Sequence, residues 1–181
     1  TNTLALNGSV GNAALGVRET DYYRVTIPIN TPSWRLRLVP NTGQVTLSVN
    51  RAALPNVLAS TYVTAPAGTS GHLMQKSGDE LYLLLPVNGQ TNIPAGDYFV
   101  GVTGEGLYPI YPRAGTNSVS YTLTSLSPFP VQDLGTIGAS DILVTNTLES
   151  EDNKAFQFAI APGTPAVDLR LENRVGNPRM M

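Results

Sequence analysis

Residues 19–27 read "ETDYYRVTI", and this stretch decides the fold. An acidic cluster leads into strict alternation, with Tyr23, Val25 and Ile27 on one side and Tyr22, Arg24 and Thr26 on the other. Successive strand side chains point to opposite faces, so this is the pattern of a half-buried β-strand. Residues 152–160, "DNKAFQFAI", write the phrase again after an offset of 133.

The same punctuation runs through the rest of the chain. "TLALNGSV", "SWRLRLVP", "QVTLSVN", "DELYLLLPV", "GDYFVGVTG" and "SVSYTLTSL" are short, rich in Val, Leu, Tyr and Thr, and separated by Gly, Pro, Asn and Ser. In "SWRLRLV", Trp34, Leu36 and Leu38 are expected inside and Arg35 and Arg37 in water. The 17 Gly and 14 Pro supply corners, for instance "PAG" at 66–68 and again at 94–96. Helix is expected for a turn or two at most, within "RAALPNV". The fold class is therefore all-β, an antiparallel β-sandwich, jelly-roll or immunoglobulin-like in general architecture.

Composition narrows the function classes. Among 181 residues, 11 Lys and Arg face 13 Asp and Glu, a net charge of -2, and the basic residues are scattered. That gives no electrostatic footprint for nucleic acid. The longest apolar run, "LYLLLPV", is far short of the ~20 residues a bilayer-spanning helix requires. With no cysteine, disulfides, thiol nucleophiles and Cys zinc sites are excluded. The chain opens at Thr1 without a leader, as expected of a mature form or a piece of something longer.

Sliding the chain by 133 lays residues 21–48 on 154–181 without a gap, pairing Ile27 with Ile160, Leu36 with Leu169, Leu38 with Leu171 and Gly43 with Gly176. Upstream, "NGSVG" matches "LGTIG" after a short insertion. The expected organisation is one complete sandwich over 1–127, a Pro-containing linker over 128–132, and the front half of a second unit over 133–181. Half a sandwich exposes an apolar face and open edges. Three arrangements would cover them: continuation of the chain, strands from another chain, or packing of the second segment on the first.

The order "ETDYYRVTIP", "VTLSVN…LPNVLAS", "IPAGDYFVGVTG", "SVSYTLTSL" resembles the bacterial pre-peptidase C-terminal domain. The resemblance covers most of residues 3–126, is most specific over Ala95 to Val102, and in the second segment extends only to the family's front half. It implies a secreted, non-catalytic β-sandwich accessory module of the kind found beside proteases and in large surface proteins, some of which bind calcium or a fibrous protein. "GQVTLSV" stands where the family typically writes "DADLYL", so those acidic positions are missing.

Candidate sites are few. Glu19 and Asp21, and Glu149, Glu151 and Asp152, offer the hard oxygen ligands that calcium takes, with Asn153 beside them. "LYPIYPR" places Tyr108, Tyr111 and Arg113 on a Pro-stiffened connection, suited to stacking on sugars or packing on a protein surface. His72 is the only histidine, with no nucleophile motif to partner it, and reads as a loop or strand-edge residue. Asp79 and Glu80 are strand neighbours on opposite faces, unlike the paired acids of a glycosidase. Asn7-Gly8-Ser9 formally matches a glycosylation acceptor but reads better as a turn or bulge.

The expected role is a structural, adhesive or substrate-binding module outside the cell or on its surface, with no enzymatic activity and no cofactor beyond calcium. Its partners would be a protein or polysaccharide surface, or copies of itself. Two rival roles are an accessory domain of a secreted hydrolase or protease, and a subunit that assembles by strand donation from a neighbour.

Overall fold

The computed structural model describes residues 1–55, 72–76, 78–105, 117–138, 140–149 and 152–180. Tyr108, Tyr111, Arg113 and Glu151 lie outside these. The chain divides into two units, Thr1–Pro130 with Glu149–Asp152, and Val131–Leu148 with Asn153–Met181.

The first unit is a two-sheet antiparallel β-sandwich. Its strands are β1 (Asn2–Thr3), β2 (Gly8–Leu15), β3 (Thr20–Ile27), β4 (Trp34–Thr42), β5 (Val45–Arg51), β6 (His72–Met74), β7 (Glu80–Leu84), β8 (Gly96–Gly104) and β9 (Val119–Leu126). One sheet has the order β1-β3-β8-β5-β6 and the other β2-β9-β4-β7. Every pairing is antiparallel except β1 with β3. The described residues contain no helix; β5 runs to Arg51, the first residue of "RAALPNV", and residues 56 and 57 of that stretch lie outside the described residues.

The core follows from the alternation. Tyr23, Val25 and Ile27 from β3, Val45, Leu47 and Val49 from β5, and Tyr98, Val100 and Val102 from β8 all point inward and are buried. They meet Trp34, Leu36, Leu38, Val119, Tyr121 and Leu123 from the other sheet. Trp34 lies edge-on to Tyr82 and Tyr98, with centroids 5.7 and 5.2 Å away. Its indole N–H donates to the Ser125 hydroxyl at 2.8 Å, so the buried donor is satisfied.

Two details explain how a strand can carry awkward residues. Pro40 lacks an N–H, yet β4 pairs with β7 only from Trp34 to Leu38, and beyond that it needs a partner only on the β9 side. Gly43, at φ +74°, makes the corner from β4 to β5, and a side chain there would run into Val119.

"TLALNGSV" is not one strand, as its alternation suggests, but two strands in different sheets. β1 lies parallel to β3, Leu4 is buried, and the chain crosses over through a turn at Leu6–Asn7 to enter β2 beside β9. The Asn7 side-chain carbonyl accepts from the Ser127 amide at 2.7 Å. Nearby, Ser127 donates to the Ser33 carbonyl and Ser33 accepts from the Phe129 amide, both at 2.7 Å.

Among its described residues the second unit has two strands, β10 (Val131–Ile137) and β11 (Ala155–Ile160), paired parallel as β1 and β3 are. Asn30 and Gly43, both at positive φ, have counterparts at the offset of 133 in Gly163 and Gly176, also at positive φ. The side chains fare differently. Leu36 and Leu38 are fully buried, whereas Leu169 and Leu171 are 52% and 43% exposed. No strand forms over the described residues 161–180. β4 owes its ladder to β7 and β9, and the second unit has no counterparts of those strands among the described residues.

This contrast sets up a paired test. Leu36→Ala is expected to destabilise the main unfolding transition by about 2–5 kcal/mol, the cost of a cavity in a packed core. Leu169→Ala, its counterpart, should change stability by less than about 0.5 kcal/mol, as at an ordinary exposed position. Denaturant melts of the two variants check both.

Candidate functional site

A polar cluster of the first unit lies where the two sheets meet, among β2, β3 and β9. Asp21 on β3 receives two side-chain hydrogen bonds at one carboxylate oxygen, from Tyr121 O–H at 2.6 Å and from Asn12 Nδ2 at 2.7 Å. With its proton directed to Asp21, Tyr121 accepts from Tyr23 O–H at 2.6 Å. The alternation that sends Tyr23 inward turns its neighbour on β3, Tyr22, the other way, and Asp21 reaches the cluster from the start of the strand. Above Tyr121 lies a shallow, open depression lined also by Gly11, Asn12, Ala13, Asn41 and Ser120.

Electrostatics keeps these tyrosines neutral. Burial raises the Tyr121 pKa, and the hydrogen bond to Asp21, which only the protonated phenol can donate, raises it further. Tyr23 is also raised, chiefly by burial. A phenol held so firmly protonated is a poor proton shuttle at neutral pH. The cluster is a clamp between sheets.

The acidic candidates fall in two places. Glu19 accepts from the Gly16 amide at 3.0 Å and closes the turn before β3. Glu149 and Asp152 lie along the outward arginines of β4, with Glu149 3.7 Å from Arg37 and Asp152 3.9 Å from Arg35. Arg37 is held mainly by Asp79, whose carboxylate accepts from Nε at 2.8 Å, and this bond raises the guanidinium pKa. Arg35 also stacks over Phe129, 5.6 Å from the ring centroid. Among the described residues, no three His, Cys, Asp or Glu side chains come together as a metal site.

His72 starts β6, the exposed edge of its sheet, with its ring 5.8 Å from that of Tyr82. Asp79 reaches outward to Arg37, while Glu80 is fully buried and accepts from the Lys76 amide at 2.7 Å. The Asp21–Tyr121 bond and the burial of Glu80 escape sequence reasoning. Asp21 and Tyr121 lie a hundred residues apart, and no local pattern pairs them.

No family model matches this chain, and no curated protein matches it. Among solved structures, it is similar in fold to the pre-peptidase C-terminal domain of a collagenase from Bacillus anthracis. That likeness has 13% identity and a TM-score of 0.44, covering 69% of this chain and 93% of the other. A second likeness is to PliG of Aeromonas hydrophila, a periplasmic inhibitor of g-type lysozyme, at 8% identity and a TM-score of 0.36, covering 69% and 96%. Among the described residues no helix is long and apolar enough to cross a membrane.

Tyr121→Phe removes the proton given to Asp21 and the oxygen that serves Tyr23, and should cost about 1–3 kcal/mol of stability in a denaturant melt. The phenols drawn into the core also contribute to stability at alkaline pH. Tyr82 is pushed up to about 12 by burial, and Tyr23, Tyr98 and Tyr121 are raised as well. Because the folded pKa values lie above the unfolded value of about 10, their contribution is complete below about pH 10. It should be lost as pH climbs through the folded values. Melting temperature measured against pH, alongside ultraviolet titration of tyrosinate, checks this.

Proposed function

We propose that this chain is a non-catalytic β-sandwich module of an extracellular or cell-surface protein, and that it holds a protein or polysaccharide surface through the connection between β8 and β9. The observation that supports this reading is where that connection is rooted. β8 lies between β3 and β5 in one sheet, and β9 between β2 and β4 in the other. The segment that joins them carries Tyr108, Tyr111 and Arg113 with Pro109 and Pro112 between. Binding residues are commonly displayed on connections that a rigid scaffold positions, and aromatic side chains supply large contact area with few torsions to freeze.

The polar side chains of the scaffold fit the same reading. Asp21, Tyr121 and Tyr23 bond one another, Arg37 is engaged by Asp79, and Trp34 by Ser125. These are the contacts of a platform, and the module would serve a structural, adhesive or substrate-holding role. As an accessory domain it would stand beside a hydrolase or protease that performs the chemistry.

Calcium is the one ion this reading considers, at Glu19 and Asp21 or at Glu149, Glu151 and Asp152. Asp21 already accepts from Tyr121 and Asn12, and Glu149 and Asp152 face arginines. Millimolar calcium is therefore expected to leave the melting temperature unchanged, and a rise reversed by a chelator would bring the ion into the reading.

Co-sedimentation with cellulose, chitin and an insoluble fibrous protein tests the binding role. The chain is expected to pellet with at least one of them, and the double substitution Tyr108→Ala with Tyr111→Ala should weaken retention about tenfold or more without moving the melt. Failure to bind any surface, or hydrolysis abolished by His72→Ala, would overturn it.

A further inference from the structure

The chain holds two Asn-Gly steps, Asn7-Gly8 and Asn88-Gly89, and the fold treats them oppositely. Such a step is prone to modify itself, because the backbone nitrogen of glycine has no Cβ beside it to keep the preceding side chain away. The reaction requires that nitrogen and the Asn Cγ to meet, so local structure decides where it happens.

Asn7 is committed elsewhere. Its side-chain carbonyl accepts from the Ser127 amide at 2.7 Å, and Gly8 already lies in β2, opposite Ser125. A Cβ at Gly8 would stand 3.1 Å from that of Ala5, so space beside this peptide is short as well. Swinging the Asn7 side chain onto the Gly8 nitrogen would break the contact with Ser127 and disturb the first rung of a ladder.

Asn88 and Gly89 are exposed, at φ +55° and +72°, the two central residues of a type I′ turn. The Gln90 amide closes the turn by donating to the Val87 carbonyl at 3.1 Å, a bond that does not use the Gly89 amide. A Cβ built at Gly89 would have nothing within 4 Å among the described residues. To react, the turn has to give up one solvent-exposed hydrogen bond, and openings of that kind are the easiest a folded chain makes.

We infer that Asn88-Gly89 is a self-modification site of the folded protein, with water as its only reagent. The Gly89 nitrogen bonds to Asn88 Cγ and loses its proton, the Cγ–Nδ2 bond breaks, and the amide nitrogen leaves with that proton as ammonia. Water then opens the cyclic imide at either carbonyl. One product is an aspartyl residue, and the other an isoaspartyl residue whose main chain runs through the former side chain and is one carbon longer.

The change falls on a part of the surface whose two connections carry no charge. Residues 28–33 and 85–95 contain no Asp, Glu, Lys or Arg, and they are joined by the Ile93 amide donating to the Thr31 carbonyl at 2.9 Å. Ile29, Leu85 and Val87 are exposed on them, and Arg51 reaches the second connection at the Ala95 carbonyl, 2.7 Å away. Either product adds a carboxylate there, so modification makes an uncharged, partly apolar surface acidic as the protein ages. The turn precedes β8 and the connection carrying Tyr108 follows it, so this inference and the surface-binding role fail separately.

Incubation of the full chain in mildly alkaline buffer, followed by peptide mapping with mass spectrometry, tests this. Conversion of amide to acid is expected at Asn88 at least about ten times faster than at Asn7, where native contacts have to open first. In denaturing urea both steps lose their structure, and the ratio should fall to near unity. Asn88→Gly keeps the positive φ without an amide to react, and should remove the acidic species that ion exchange resolves from the aged chain. Equal conversion at both sites in the folded chain, or none at Asn88 while the unfolded chain converts, would overturn the inference. So would a preference that persists unchanged in urea, or an acidic species that survives Asn88→Gly.

Discussion

The pairing of β3 with β8 runs unbroken from Thr20 opposite Thr103 to Ile27 opposite Gly96, and the first unit is arranged around it. It fixes which side chains of both strands face the second sheet, because a shift of one residue would exchange the inner and outer faces of the whole strand. Tyr23 then meets Tyr121, and Tyr98 meets Trp34, while β5 joins the far edge of β8 with Val49 opposite Val100. The β3 phrase alone is not enough to build this, as β11 shows. There the same alternation has one strand beside it among the described residues, and Phe156 and Ile160 of its apolar stripe are exposed.

What was legible in the sequence was what a strand declares locally. "SWRLRLV" and "DYYRVTI" announce their faces by alternation, and Trp34, Leu36, Leu38, Tyr23, Val25 and Ile27 are buried as that alternation requires. Asp79 and Glu80 also part to opposite sides, one toward Arg37 and one into the interior. At the offset of 133 read from the sequence, Asn30 and Gly163, and Gly43 and Gly176, stand at positive φ.

Sheet membership was not legible, because it is decided by partners far away in the chain. "TLALNGSV" alternates without interruption, but Asn2 and Thr3 find β3 while Gly8 onward finds β9, and the crossing between them leaves no period of its own. The inter-sheet clamp was hidden for the same reason. Asp21 reads as one more acid in a cluster until Tyr121 arrives from the opposite sheet. Residues 167–175 repeat the pattern of β4 without forming a strand, so hydrophobic alternation records what a segment would bury when its neighbours are supplied.

The crossover at Leu6–Asn7 has a mechanical consequence. Gly8 at the start of β2 lies opposite Ser125 near the end of β9, so the first unit's two ends leave the same end of an antiparallel pair. A pull applied through those ends would peel β2 from β9 one rung at a time, instead of loading all their hydrogen bonds in shear. Such a load would first meet β1, held beside β3 at Asn2 and Thr3, and the next rungs, those of β2 with β9, sit beside the contacts among Asn7, Ser33, Ser127 and Phe129. In a protein under tension, this small knot of polar contacts would resist the opening of β2 from β9 once β1 and Leu4 had come away from β3.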